Sequence, residues 1–141
     1  MKAYESRVSM MQKDYADKGV HFLMVNANES NGEIDDPIPA SDDAKPYQKI
    51  RDYLKGSELT RNVLVDRGAI VADMLGAKTT PDVFVFDTEG KLVYRGLIDD
   101  DRSGKKGEAT TRYLRDAIDA TLAGTAVSVA ETVPELSLIH I

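Results

Sequence analysis

Apolar residues recur along this chain with two different periods, and the switches between them mark out the elements. From Lys2 to Lys18 the larger apolar side chains fall at Tyr4, Val8, Met11 and Tyr15, which places them on one helical face, with Gly19 as the stop. The helix starts at once, with no strand before it. VHFLMVNAN from Val20 is β-branched and apolar on both alternating faces as far as Asn26, which predicts a parallel, central strand covered by helices on both sides. ESNGEIDDPIPASDD, with Pro37 and Pro39, predicts a long surface excursion. AKPYQKIRDYLK then predicts a helix with Tyr47, Ile50 and Leu54 on one side and Ser41 or Asp43 as its cap.

NVLVD, Asn62 to Asp66, is a short apolar strand, and Ala69, Ile70, Met74 and Leu75 belong to a short helix ending at Gly76. After Pro81 the strands VFVFD and LVYRG are joined by Thr88-Glu89-Gly90, a hairpin turn with glycine where positive φ is needed, so this pair is antiparallel. TTRYLRDAIDATLAG spaces Leu114, Ala117, Ile118, Thr121 and Leu122 as a last helix, stopped by Gly124. The order is β-α alternation followed by a hairpin and a helix. That predicts an α/β sandwich with a mixed sheet and neither an internal repeat nor a domain linker.

Composition narrows the class. A chain of 141 residues, 42% hydrophobic and 30% charged, suits one globular domain. Eighteen basic against twenty-four acidic residues, with no basic stripe interleaved with aromatics, disfavours a nucleic-acid partner. No apolar run approaches the roughly 20 residues of a membrane span, and the N-terminus is amphipathic, so the chain reads as soluble with no visible export signal and an undefined compartment. There is no cysteine, and a thiol mechanism would need a thiol from outside this stretch.

The stretch GAKTTPDVFVFD raises the question of what Pro81 does. Proline cannot donate to a sheet ladder and biases the preceding residue toward extended backbone, so an ordinary strand opener with a trans bond explains it. VHFLMVNANES, NVLVD, AKTTPDVFVFDTEGKLVYRGLIDD and the last helix with its AETVP tail together resemble the thioredoxin-like superfamily. The similarity is to its redoxin branch, related to alkyl hydroperoxide reductase and thiol-specific antioxidant proteins. It covers most of the chain and implies a three-layer α/β/α sandwich with a mixed sheet.

The resemblance also implies a cis Thr80–Pro81 bond, a change that costs only about 0.5–1 kcal/mol before proline. Thr80 and Pro81 then form the wall of a substrate groove facing a thiol. In the family a strand leads into a cysteine at the start of the helix that is here Lys2 to Lys18, where the helix N-terminus lowers the thiol pKa. The chain is therefore expected to be a partial domain over 1–135, lacking that strand and cysteine, with Met1 an internal codon. The strand would lie between VHFLMVN and VFVFD, and its absence would leave a gap in the sheet. Leu136-Ser-Leu-Ile-His-Ile141 resembles the translated mosaic end of a transposase-based sequencing adapter, so residues 136–141 are expected to be foreign and His140 without a role.

On this reading the parent protein is a thiol-disulfide oxidoreductase or peroxiredoxin-like enzyme. Its thiolate attacks a disulfide or hydroperoxide and is restored by a thiol reductant, while this chain holds no catalytic residue, metal or cofactor and is inactive alone. The alternative is a non-catalytic thioredoxin-like module that holds a partner strand in the Thr80-Pro81 groove. An intact cysteine-free α/β protein of other function is a third reading.

Other candidates have bland explanations. His21 lies among apolar residues with no second ligand or nucleophile nearby and reads as a structural or rim histidine. Asp99, Asp100 and Asp101 lack the alternation, glycine and distal glutamate of a calcium loop, which leaves a solvated acidic loop, and Asn31-Gly32 fails the same test. Ser103-Gly-Lys-Lys-Gly107 lacks the first glycine and the hydroxyl of a phosphate loop. Arg95 could approach a thiolate, but on a hairpin strand it is expected to face solvent.

Overall fold

The computed structural model describes residues 4–27, 47–56 and 63–133. The long excursion, the Ser41 or Asp43 cap, Asn31-Gly32, Asn62, and residues 136–141 with His140 lie outside them. The described elements run in the order predicted, and two compact units divide the chain between Ala77 and Lys78.

In the first unit, α1 is Glu5–Asp14, continued by turns to Gly19. Its predicted face holds: Tyr4, Val8, Met11 and Tyr15 are all buried. Glu5, Ser9 and Gln12 are buried as well, a polar shoulder that the apolar spacing does not announce. Tyr53 of α2 (Gln48–Lys55) donates its hydroxyl to the Glu5 carboxylate, which gives that buried acid a partner. Ile50 is buried and Leu54 half-buried, as the spacing predicts; Tyr47 takes a left-handed conformation, φ 59°, and so ends the helix on its N-terminal side.

β1 (Met24–Asn26) and β2 (Val63–Val65) pair in parallel, Met24 opposite Val63 and Asn26 opposite Val65. The predicted strand is thus parallel but shorter than VHFLMVNAN, and among the described residues β2 is its one ladder neighbour. Among the described residues its cover on both faces is not found, for Leu23 is 75% exposed and Val25 and Leu64, partners in the ladder, are also exposed. A buried carboxylate follows β2. Asp66 accepts the amides of Val71 and Ala72, satisfying two of the donors that the first turn of α3 (Ile70–Leu75) leaves without helical partners. Gly76, at φ 71°, ends α3.

The second unit is built on β3 (Val83–Phe86) and β4 (Leu92–Gly96), an antiparallel hairpin. Asp87 makes the turn: its side chain accepts the amides of Glu89 and Lys91, its own amide bonds the Lys91 carbonyl, and Gly90 supplies φ 79°. α4 (Tyr113–Leu122) packs on this hairpin, burying Leu114, Ala117 and Ile118 as predicted, while Thr121 is half-buried and Leu122 stays exposed. Tyr94 and Ile98 complete the buried apolar set of this unit.

The fold is therefore mixed α/β with one parallel and one antiparallel two-stranded sheet. The single mixed sheet expected from the pattern is not seen among the described residues, which form these two separate ladders instead. No described helix is long and apolar enough to cross a membrane.

Candidate functional site

Thr80 and Pro81 lie in the segment that leads into β3. The Lys78 amide bonds the Asp82 carboxylate at 3.1 Å, closing a short loop over Thr79, Thr80 and Pro81. The Thr80–Pro81 bond is cis, as the resemblance implies. Thr80 is exposed and Pro81 half-buried, so this corner is open to solvent at the threonine. Pro81 does stand two residues ahead of β3, but the trans bond of an ordinary strand opener is not found.

The hairpin places a second group of residues in ladder register behind this corner. Val83 pairs with Gly96 and Phe84 with Arg95. Arg95 is not simply solvent-facing, because its guanidinium lies 5.4 Å from the Phe84 ring centroid and its Nε 3.7 Å from Glu131 Oε1. Next to it Tyr94 is fully buried. The Tyr94 hydroxyl donates to the Leu97 carbonyl and shares a hydrogen bond of 2.8 Å with Thr132 Oγ1, which in turn accepts the Leu97 amide at 2.7 Å. Burial pushes the Tyr94 phenol up to about 12, against the Thr132 hydrogen bond, which lowers it; Tyr113 and Asp82 add to the rise. The neutral hydroxyl is thus fixed as a donor.

Gly96 explains how Thr132 gets so close. At φ 134° it occupies backbone that other residues rarely adopt, and a Cβ there would stand 2.2 Å from Thr132 Oγ1 and 2.5 Å from the Thr132 carbonyl oxygen. Gly96, Thr132 and the Tyr94 hydroxyl are a cluster that sequence reading misses. The glycine closing YRG is its one local sign, and the other half lies about thirty-five residues away.

The acidic run behaves differently from its expectation. Asp99 and Asp101 are buried, and Asp101 accepts the amides of Lys105 and Lys106 and the Ser103 hydroxyl, while its own amide bonds Asp99. Burial pushes the Asp101 carboxyl up, yet the bonds from Lys106, Ser103, Lys105 and Gly104 outweigh it and hold it below the ordinary value. The Thr111 amide, with Lys106 beside it, holds Asp100 low as well, and the Lys106 ammonium lies 3.3 Å from it. This loop is an internal scaffold rather than a solvated run. It also accounts for the Ser103–Gly107 segment, whose amides at 105 and 106 are taken by Asp101 instead of a phosphate. His21 is exposed, in keeping with a rim position. Among the described residues no three His, Asp or Glu side chains are grouped to hold a metal.

The Thr80-Pro81 corner and the Tyr94-Gly96-Thr132 cluster thus lie at the same open end of the hairpin, where Val83 pairs with Gly96: an exposed corner, and a buried cluster that holds the neighbouring strand.

No protein-family model matches the chain, and no curated protein sequence does. Two solved structures are similar to it. One is a hypothetical protein from Sinorhizobium meliloti 1021, with a TM-score of 0.72 and 28% identity over 92% of this chain and 68% of that one. The other is an uncharacterized conserved protein from Geobacillus kaustophilus, with a TM-score of 0.67 and 31% identity over 89% of this chain. The chain spans 62% of the length of the Geobacillus protein, so in both cases about a third or more of the similar chain lies outside the match.

Proposed function

We propose that this chain is part of a thiol-dependent oxidoreductase of the redoxin, alkyl hydroperoxide reductase and thiol-specific antioxidant kind, with a thioredoxin-like α/β/α sandwich. The observation that carries the proposal is the order of the ladders: a parallel pair, then an antiparallel hairpin opened by Thr80 and Pro81, then a closing helix. An exposed Thr80 ahead of a fixed strand suits the wall of a groove for an extended substrate or a partner's mixed disulfide. The catalytic thiol belongs to the longer protein, ahead of α1.

In this reading the thiolate attacks either a disulfide sulfur, expelling the other sulfur as a thiolate, or the terminal oxygen of a hydroperoxide. The latter breaks the O–O bond, releases an alkoxide that takes a proton, and leaves a sulfenic acid. The sulfenic acid condenses with a second thiol, releasing water, to form a disulfide; a thiol of the reductant then exchanges with this disulfide, or with the mixed disulfide of the first route, and returns the cysteine to its thiolate while the reductant is oxidised to a disulfide. Thr80 and Pro81 bind and orient; they take no part in electron transfer.

The test uses the product of the uninterrupted gene. Thiol-dependent consumption of a hydroperoxide or of a protein disulfide, abolished when the cysteine ahead of α1 is replaced by serine, is the expected result. Turnover that survives that replacement would overturn the proposal. Absence of any cysteine ahead of α1 would turn the reading toward a module that holds a partner strand without redox chemistry.

A further inference from the structure

We propose that residues 130–133 are a detachable strap on the edge of β4, and that the same strap of a second copy can take its place. The strap is a single parallel bridge, Arg95 opposite Glu131. It is held by the Arg95 amide on the Ala130 carbonyl at 3.0 Å, the Thr132 amide on the Arg95 carbonyl at 3.1 Å, and the Thr132 hydroxyl between Leu97 and Tyr94. The Arg95–Glu131 ion pair adds charge complementarity. These contacts are directional and few, and the strap residues themselves are largely exposed, Val133 at 56%.

Two features make the strap separable from what precedes it. Thr125 is hydrogen-bonded to α4 through its amide and hydroxyl on the Ala120 carbonyl, and beyond it Ala126, Ser128 and Val129 are exposed. A small cavity lined by Tyr113, Asp116, Val127 and Val129, among others, separates part of this connecting stretch from α4. By contrast the receiving edge is built for this strap: Gly96 leaves the space that Thr132 enters, and a Cβ would close it.

A second copy carries an identical strap, so the exchanged form makes every contact of the closed form without any new surface. Exchange also keeps the β4 edge covered, whereas an uncovered edge would be a template for indiscriminate strand pairing. A short tether gives the strap an effective concentration on the order of millimolar at its own edge, so the closed form prevails in dilute solution and exchange needs concentrated chains.

The chain has no cysteine, which allows a direct test. In the full chain carrying Arg95→Cys and Glu131→Cys, the two sulfurs face each other across the bridge. After refolding from urea and oxidation in dilute solution, the disulfide should close within one chain. After refolding at about 1 mM, the range where exchange competes with the tether, covalent dimers should rise several-fold, joined between position 95 of one chain and 131 of the other. Only intrachain disulfides at both concentrations, or dimers joined 95 to 95 or 131 to 131, would overturn the proposal. Should this variant fail to refold, the natural sequence is compared with Thr132→Pro by light scattering after concentrated refolding. Dimers in the former that vanish in the latter are expected; no dimer in the former, or dimers that persist in the latter, would overturn it.

Discussion

Tyr94 places its whole side chain inside the second unit and keeps its hydroxyl bonded on both sides, and that combination gives one residue an unusual titration. The folded phenol lies near 12, above the ordinary value of 10, so the contribution it makes to stability is complete below about 10 and is lost as pH rises through 12. Tyr94 should therefore ionise late in an ultraviolet absorbance titration, and its ionisation should coincide with alkaline unfolding. Tyr94→Phe should remove that late step. At Gly96 the constraint is steric. Gly96→Ala must put a methyl into the space of Thr132 and hold φ at 134°, and a loss of about 1–3 kcal/mol in urea unfolding is expected. A loss below a few tenths would mean that Thr132 does not enter this space. Neither residue stands out in the sequence, because a tyrosine in LVYRG fits any strand and its partner Thr132 is distant along the chain.

At the level of elements, periodicity reports which face is buried but not what supplies the cover. The spacing of Tyr4, Val8, Met11 and Tyr15 identified the buried face of α1, and Leu114, Ala117 and Ile118 that of α4, because a 3.6-residue repeat maps directly onto one side of a helix. The reading failed at β1, where apolar residues on both faces imply two covers that the described residues do not provide, leaving Leu23 and Val25 exposed. It failed again at Asp99 to Asp101, since a run of carboxylates looks solvated until the amides that converge on it are placed. Two predictions follow from such carboxylates. Asp66→Ala strips two amides of their acceptor at the start of α3 and should lower stability by about 1 kcal/mol in denaturant unfolding. Asp100 and Asp101 have folded pKa values below their ordinary one of about 3.9, so their contribution is present above that value and is lost as pH falls through the folded pKa. The urea midpoint should fall on acidification below about pH 4, and Asp101→Asn should flatten that dependence. An unchanged acid slope in the variant would contradict the loop as described.

For the whole molecule, the element order was legible because glycine, proline and apolar runs punctuate this chain clearly, whereas the cis Thr80–Pro81 bond was legible only through the family resemblance, since the residues by themselves suit a trans strand opener. The catalytic centre was not, because the proposed reading puts its thiol on a residue that this chain does not contain. The similar Sinorhizobium and Geobacillus proteins are longer than the part that matches, which leaves room for such a segment in a longer protein of this kind. The account then makes a specific electrostatic demand: a cysteine at the N-terminal end of α1 sits where the helix's unpaired amides and dipole favour the thiolate. Measuring the rate of iodoacetamide alkylation of the whole gene product against pH tests this directly. The account predicts a cysteine ahead of α1 whose alkylation follows a pKa well below the ordinary thiol value of about 8.5; the absence of a cysteine there, or one that titrates at or above that value, would contradict it.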